Sequence, residues 1–303
     1  MTMTLRFHTL DVFTNRKFGG NPLAVVLDAD ALTDRQMQTI AQEFNLSETI
    51  FVMTPADPAN TAKVRIFFPT GEIPFAGHPT VGCAVLLAHQ RDWAGQDQLQ
   101  IRLEEVAGLV PVTVTQGAGA MRASFTAPVV PFAVDQTMPA REEVAAMLSL
   151  EAADIGFDDH QPRLHQGGPR CFHVPVATRA ALVRSRVRDS IWPAMADSLG
   201  TDQVYVYTRG GDAPGTAFRA RMYAPTAATP EDPATGSATA LLAAQLLTSD
   251  HLADGTHAWD IEQGYEMGRP SDLHLEVDVH HGELVAVRVS GQAVPLMEGV
   301  LHL

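Results

Sequence analysis

Three ionisable side chains in short stretches marked by glycine, proline or a helix end are the residues of this chain best suited to moving a proton at carbon. Glu48 stands in "NLSETIFV", between a helical pattern and an apolar strand. His78 stands in "FAGHPT", at the mouth of an apolar helix, and Asp232 in "EDPATGSA", at the mouth of a second. An acid or base held partly out of water has its pKa moved toward the working pH, as proton abstraction from carbon requires. Each residue also has a plainer reading. Glu48 is then an exposed loop glutamate, His78 a histidine that only hydrogen-bonds its loop, and Asp232, or Glu231 beside it, a helix N-cap. Residue types alone leave both readings open.

Other chemistries find less support. Lys17 and Lys63 are the only lysines among 21 basic residues, and one lies in a turn, the other in a strand, so Schiff-base catalysis has no clear candidate. The 12 histidines are dispersed, His280 and His281 are adjacent in a hairpin rather than at a ligand spacing, and no HExxH or CxxC pattern occurs, so no metal is expected. The GxGxxG spacing of a dinucleotide site and the GxSxG elbow are both absent. Cys83 lies inside an apolar helix and Cys171 opens a strand, so both read as buried structural thiols.

The elements that position the three residues follow from periodicity. "LRFHTLDVF", "LAVVLD", "ETIFVMT" and "TAKVRIFFP" read as strands, with "TNRKFGGNP" a loop. "LTDRQMQTIAQEFN" reads as a helix with a Thr33–Gln36 capping box and an apolar face of Met37, Ile40, Ala41 and Phe44. "VGCAVLLAHQ" is apolar all round, so it is expected to be buried on every side. "QLQIRLEEVAGLVPVTVTQG" and "AMRASFT" form a meander of strands. Proline-rich "APVVPFAVDQTMPAREE" marks a crossover, after which the style repeats: helices "REEVAAMLSL" and "SIWPAMADSLG", strands "CFHVPVAT", "QVYVYTRG", "AFRARMYAP", "LHLEVDV" and "ELVAVRVSG", and a second apolar helix from "PATGSATALLA".

The two apolar helices look like copies. Pro79 and Pro233 are 154 residues apart, as are Gly82 and Gly236. The spacing predicts a duplicated unit, each half a curved, mostly antiparallel sheet around one central helix. Proline at a first helical position leaves free N–H groups at the helix end, where the helix dipole adds positive charge. Two such ends across a cleft make an anion site, and small residues there let a carboxylate approach the backbone.

Composition bounds the rest. The chain has 303 residues, 46% of them hydrophobic, and a net charge of −14. An acidic protein without a basic face is not a nucleic-acid binder. The opening "MTMTLRFHTL" has no apolar run, no segment reaches membrane-spanning length, and two cysteines make no disulfide framework. A cytoplasmic protein without a signal peptide is expected.

"FGGNPLAVV", "LSETIFV", "RIFFPTGEIPFAGHPTVG", "RMYAPTAATPEDPATGSA", "IEQGYEMGRPS" and "AVPLMEGVL" together, in order from about residue 6 to the C-terminus, resemble the phenazine-biosynthesis PhzF-like isomerase family. The resemblance implies an α+β fold of the diaminopimelate epimerase-like kind, with an N-terminal half of residues 1–127 plus 286–303, a C-terminal half of 128–285 and an active site in the cleft between them. It implies that "AVPLMEGVLHL" returns to the first half. It makes Glu48, His78 and Asp232 the catalytic residues, and Ser237 a substrate contact. Asn21, Gly77, Thr235 and Gly236 complete the substrate-binding set. The reaction implied is a hydrogen shift such as that on trans-2,3-dihydro-3-hydroxyanthranilate, with no cofactor, on a small carboxylate-bearing substrate, in a homodimer. The related epimerases and racemases use two facing cysteines; here Ala76 and Pro233 flank the helix mouths without a thiol, which excludes that mechanism. An epimerase or dehydratase of a hydroxy or amino acid, and a non-catalytic small-acid binder, are the alternatives. The chain departs from the family pattern at Phe68, Thr226 and Ala228, bulkier groups that bear on which substrate fits.

Overall fold

Alternating apolar residues give strands with one buried face, and in the first half of the chain these strands close around a helix. A computed structural model describes residues 3–91, 93, 96–117, 119–226 and 229–303; Ala228 lies outside the described residues. The chain divides into two units, Met1–Thr126 with Ser290–Leu303, and Ala127–Val289.

In the first unit β1 (Thr4–Val12) pairs antiparallel with β2 (Asn21–Val26), and β2 pairs parallel with β3 (Glu48–Met53). Helix α1 (Asp34–Phe44) links those two strands. β3 pairs antiparallel with β4 (Ala62–Phe68), on which the short β5 (Gly71–Ile73) folds back. Helix α2 (Gly77–His89) leads to β6 (Gln98–Glu105), parallel to β4, and then to antiparallel β7 (Gly108–Thr115) and β8 (Arg122–Thr126). Residues 293–302 pair with β1, from Thr4 opposite His302 to Val12 opposite Ala293. The Ala293 N–H donates to the Met121 carbonyl beside β8, which closes the ring.

Helix α2 occupies the inside of that ring, packed against β1, β2, β3, β6, β7 and β8. Its residues from Gly77 to Leu86 are all buried, as expected of a helix with no polar face. The approach is close: a Cβ on Gly82 would stand 2.6 Å from Leu23 Cδ2 and 2.7 Å from Val12 Cγ2, so only glycine fits. Outside the ring, α1 carries the expected capping box, with Thr33 Oγ1 accepting from the Gln36 N–H and Gln36 Oε1 from the Thr33 N–H. Met37, Ile40 and Ala41 of α1 enter a core with Leu5, Val26, Phe51 and Phe67. Phe44 packs edge-on against Phe7.

The second unit begins with β9 (Phe132–Ala133), inside the proline-rich crossover, and α3 (Arg141–Met147). β10 (Arg163–Gln166) pairs antiparallel with β9 and with β11 (Arg170–Pro175). Helices α4 (Arg179–Arg184) and α5 (Trp192–Leu199) precede β12 (Val204–Arg209), which runs parallel to β11. β13 (Phe218–Tyr223) pairs antiparallel with β12 and with the short β14 (Glu231–Asp232). After α6 (Gly236–Ser249) come β15 (Gly255–Gln263), parallel to β13, and antiparallel β16 (Ser271–His280). The last strand, β17 (Glu283–His302), supplies the residues already paired with β1. Val144, Met147, Leu182, Trp192 and Leu199 of α3, α4 and α5 form one core with Leu164, Phe172, Val174, Val204 and Val206.

Strand for strand, β10–β16 with α6 repeat the pairings of β1–β7 with α2, so the duplication is structural. Its register differs from the one read off the prolines. The helices begin at Gly77 and Gly236, which are 159 residues apart, not 154. Pro74-Phe75-Ala76-Gly77 therefore matches Pro233-Ala234-Thr235-Gly236, and neither Pro79 nor Pro233 is a first helical residue. Side-chain contacts repeat with the fold. The Glu104 carboxylate accepts from the Ala56 and Asp57 N–H groups after β3, and the Glu262 carboxylate from the Asp212 and Ala213 N–H groups after β12.

Candidate active site

Each central helix opens on a polar cluster, and the two clusters differ. In the first unit Glu48 is the first residue of β3, opposite Leu23 of β2. It is 7% exposed, so it is not a loop glutamate in water. His78, the second residue of α2, is 4% exposed, and its Nε2 lies 3.4 Å from Glu48 Oε2. That is contact distance, without the alignment of a hydrogen bond. Asn21, fully buried at the start of β2, donates through Nδ2 to His78 Nδ1 at 3.3 Å. Burial pushes the His78 pKa down from 6.5 to about 3, against a smaller opposing pull from the Pro22 carbonyl, so the ring is neutral.

In the second unit the acid is held from its own side. Asp232 sits on β14 opposite Met222, half-buried. Its Oδ2 accepts from the Thr235 hydroxyl, and Thr235 is the N-cap residue of α6. The N-cap reading of Asp232 and of Glu231 is thereby corrected: Thr235 occupies that position, and Glu231 forms a two-point ion pair with the buried Arg221. Ser237 lies half-buried at the second helical position, where His78 stands in the other unit, and Gly236 is buried.

Gln263, the last residue of β15, was not foreseen. It is fully buried and makes three bonds at the α6 mouth. Its Nε2 donates to the Asp232 carbonyl at 2.7 Å and to Thr235 Oγ1 at 3.1 Å, and its Oε1 accepts from the Thr235 N–H at 3.1 Å. Gly264 behind it has φ +76°, and a Cβ there would meet the Pro233 carbonyl at 2.5 Å. Glutamine is unremarkable in "IEQGY", and only the alternation of β15 pointed inward at this position. Replacing Gln263 by leucine leaves a buried N–H and a buried carbonyl unpaired, and is expected to cost about 2 kcal/mol. The urea midpoint of the variant checks this.

The two departures that are described play other parts. Phe68 pairs with Gly71 in the β4–β5 hairpin, and the exposed Thr226 hydroxyl donates to Asp202. Cys83 and Cys171 are buried, and burial raises both thiols far above their ordinary range. His280 and His281 do lie at a hairpin, but φ +53° at His281 turns the two rings to within 4.0 Å of each other, beside Asp254. All three are exposed, so water competes for every donor atom. Among the described residues no helix is long and apolar enough to cross a membrane.

Strands wound twice around buried helices, in the same pairing order, are the architecture of the diaminopimelate epimerase-like α+β fold, and the chain is an isomerase of that fold. The family described as "Phenazine biosynthesis-like protein" matches residues 10–299, and the chain belongs to it. An uncharacterised isomerase of Mesorhizobium japonicum is 40% identical over 99% of both chains. The trans-2,3-dihydro-3-hydroxyanthranilate isomerase of Pseudomonas aeruginosa is 32% identical, over 98% of this chain and 99% of its own. A crystal structure of a Bacillus anthracis phenazine biosynthesis protein of the PhzF family shares the fold at TM-score 0.88, with 24% identity over 99% of each chain.

Proposed function

We propose that the protein catalyses an acid–base hydrogen shift on a small carboxylate-bearing substrate, of the kind acted on by its Pseudomonas aeruginosa relative. Glu48 takes a proton from a carbon next to an unsaturated or carbonyl-bearing system. The neutral His78 beside Glu48 steadies charge as it develops. Asp232 returns a proton, and N–H groups at Gly77, Gly236 and Ser237 hold the substrate carboxylate, the Thr235 N–H being taken by Gln263. The observation that carries this reading is the nearly buried Glu48 carboxylate, 3.4 Å from an imidazole that Asn21 orients and burial keeps uncharged.

The test is incubation with trans-2,3-dihydro-3-hydroxyanthranilate, and with a panel of other cyclic amino and hydroxy acids, in deuterium oxide. Deuterium appearing at carbon in an isomerised product is the expected result. Binding of these acids without exchange or turnover across the panel would overturn it.

A further inference from the structure

Behind the mouth of α2 lies an acid that the proposed chemistry does not use. Glu105 ends β6 on the same face as Ile101 and Leu103, and is 8% exposed. Its Oε1 lies 2.7 Å from Thr80 Oγ1, and Thr80 Oγ1 lies 2.7 Å from the carbonyl oxygen of Ala76, the N-cap residue of α2. A hydroxyl carries one proton, and a carbonyl oxygen only accepts. If Thr80 gives its proton to Ala76, Glu105 must supply the proton between itself and Thr80. An ionised Glu105 would take the Thr80 proton instead. Thr80 Oγ1 and the Ala76 oxygen would then face each other at 2.7 Å with no hydrogen between them. Both short contacts are satisfied together only by a neutral carboxylic acid.

The duplication supplies a second, independent observation. Glu104 pairs with Lys63 of β4, and Glu262 with Arg219 of β13, in equivalent parallel ladders. The next residues, Glu105 and Gln263, therefore occupy the same place in the two units. Gln263 cannot ionise, and it donates to Thr235 Oγ1 and the Asp232 carbonyl at the start of α6. A neutral donor thus backs the opening of each central helix.

Among the described residues no cation faces Glu105. From α2 the titratable group beside it is Cys83, whose thiol burial holds protonated. Glu104 turns away to the Ala56 and Asp57 N–H groups and the Asn60 amide, with Lys63 beside it. Burial raises the Glu105 carboxyl to about 8, the Thr80 bond opposing.

We propose that Glu105 is a positioning residue that works as a neutral acid: it donates to Thr80, Thr80 donates to Ala76, and the N-terminal N–H groups of α2 are left for an anionic substrate instead of an internal carboxylate. The anion rests on the function proposed above; the protonation does not.

The full chain carrying carbon-13 at glutamate carboxyls is titrated by NMR, with Glu105→Gln used to assign the signal. The expected midpoint is about 8. A midpoint in the ordinary carboxylate range, below about 5, overturns the proposal. Should Glu105→Gln not fold, Thr80→Val serves in its place: a glutamate signal whose midpoint moves supports the proposal, and unchanged titration of every glutamate overturns it. With a substrate that turns over, KM of the natural chain is expected to rise about tenfold per pH unit above the midpoint while kcat holds, and the rise to vanish in Glu105→Gln. A rise that persists in that variant overturns the positioning role. Absence of turnover defeats the proposed function alone, because the carbon titration still decides the proton.

Discussion

Glu48→Gln is expected to lower turnover and solvent deuterium exchange by roughly 10³-fold while the protein stays folded. Glutamine keeps the size and the planar head of glutamate, but it cannot accept a proton from carbon. Glu48 itself is nearly closed to water, so no solvent base stands ready to substitute. The urea midpoint of the variant, measured beside turnover, separates loss of the base from loss of the fold. The loss should fall on kcat rather than KM, because the group acts on the transition state more than on the bound substrate. Turnover within tenfold of the unaltered chain would remove Glu48 from the role of base.

Acid is expected to unfold this protein unusually early. His78, His165 and His173 are buried, and burial pushes their pKa values from 6.5 to about 3, 2 and 4 in turn. Above pH 6.5 folded and unfolded chains both carry them neutral, and the three contribute no pH dependence. Below it the unfolded chain binds three protons that the folded chain refuses, so stability falls with pH until the folded values are reached. Each histidine contributes about 1.4 kcal/mol per pH unit across that window. Glu105, raised to about 8, binds a proton on folding over the same window and offsets one of the three, so two pH units remove about 5 kcal/mol from a typical stability of about 5–15 kcal/mol. Urea unfolding at pH 7, 6 and 5 checks it, and equal stability at all three would refute it. His173 Nε2 lies 3.1 Å from the Ala238 carbonyl, and its Nδ1 lies 3.3 Å from the Cys171 carbonyl and 3.1 Å from His165 Nδ1.

Local pattern made much of this legible. Helix α1 and its capping box are written in contiguous residues, and so are the alternating strands and the two wholly apolar helices. The duplication was visible, but the register slipped by five because the first half holds Pro-x-x-Gly twice, at Pro74–Gly77 and Pro79–Gly82. Only the helix starts decide between them. Corrected, the register sets Asp232 against Ile73 and Ser237 against His78: the halves share a backbone and differ in the side chains at the helix mouth. The N-cap reading of Asp232 failed because Thr235 takes the cap and binds the acid as well. Gln263 and Glu105 were hidden for another reason. Each acts on a helix start that is distant in sequence, at the end of a strand whose alternation shows only that they point inward. The exposed-loop reading of Glu48 failed because the strand read as "ETIFVMT" does begin at Glu48 and its first residue is already buried.

The pairing of β1 with the end of the chain bears on biosynthesis. Met3 and Leu303 exchange backbone hydrogen bonds, the outermost rungs of that ladder. Residues 4–12 thus wait for residues 293–302, which are made later. Ala127–Val289 emerges before them and can fold while translation continues, whereas the earlier segment must remain unsealed on the ribosome until Ser290–Leu303 has been made. Loss of even a few C-terminal residues would fall on the half that carries Glu48 and His78, not on the half nearest the cut.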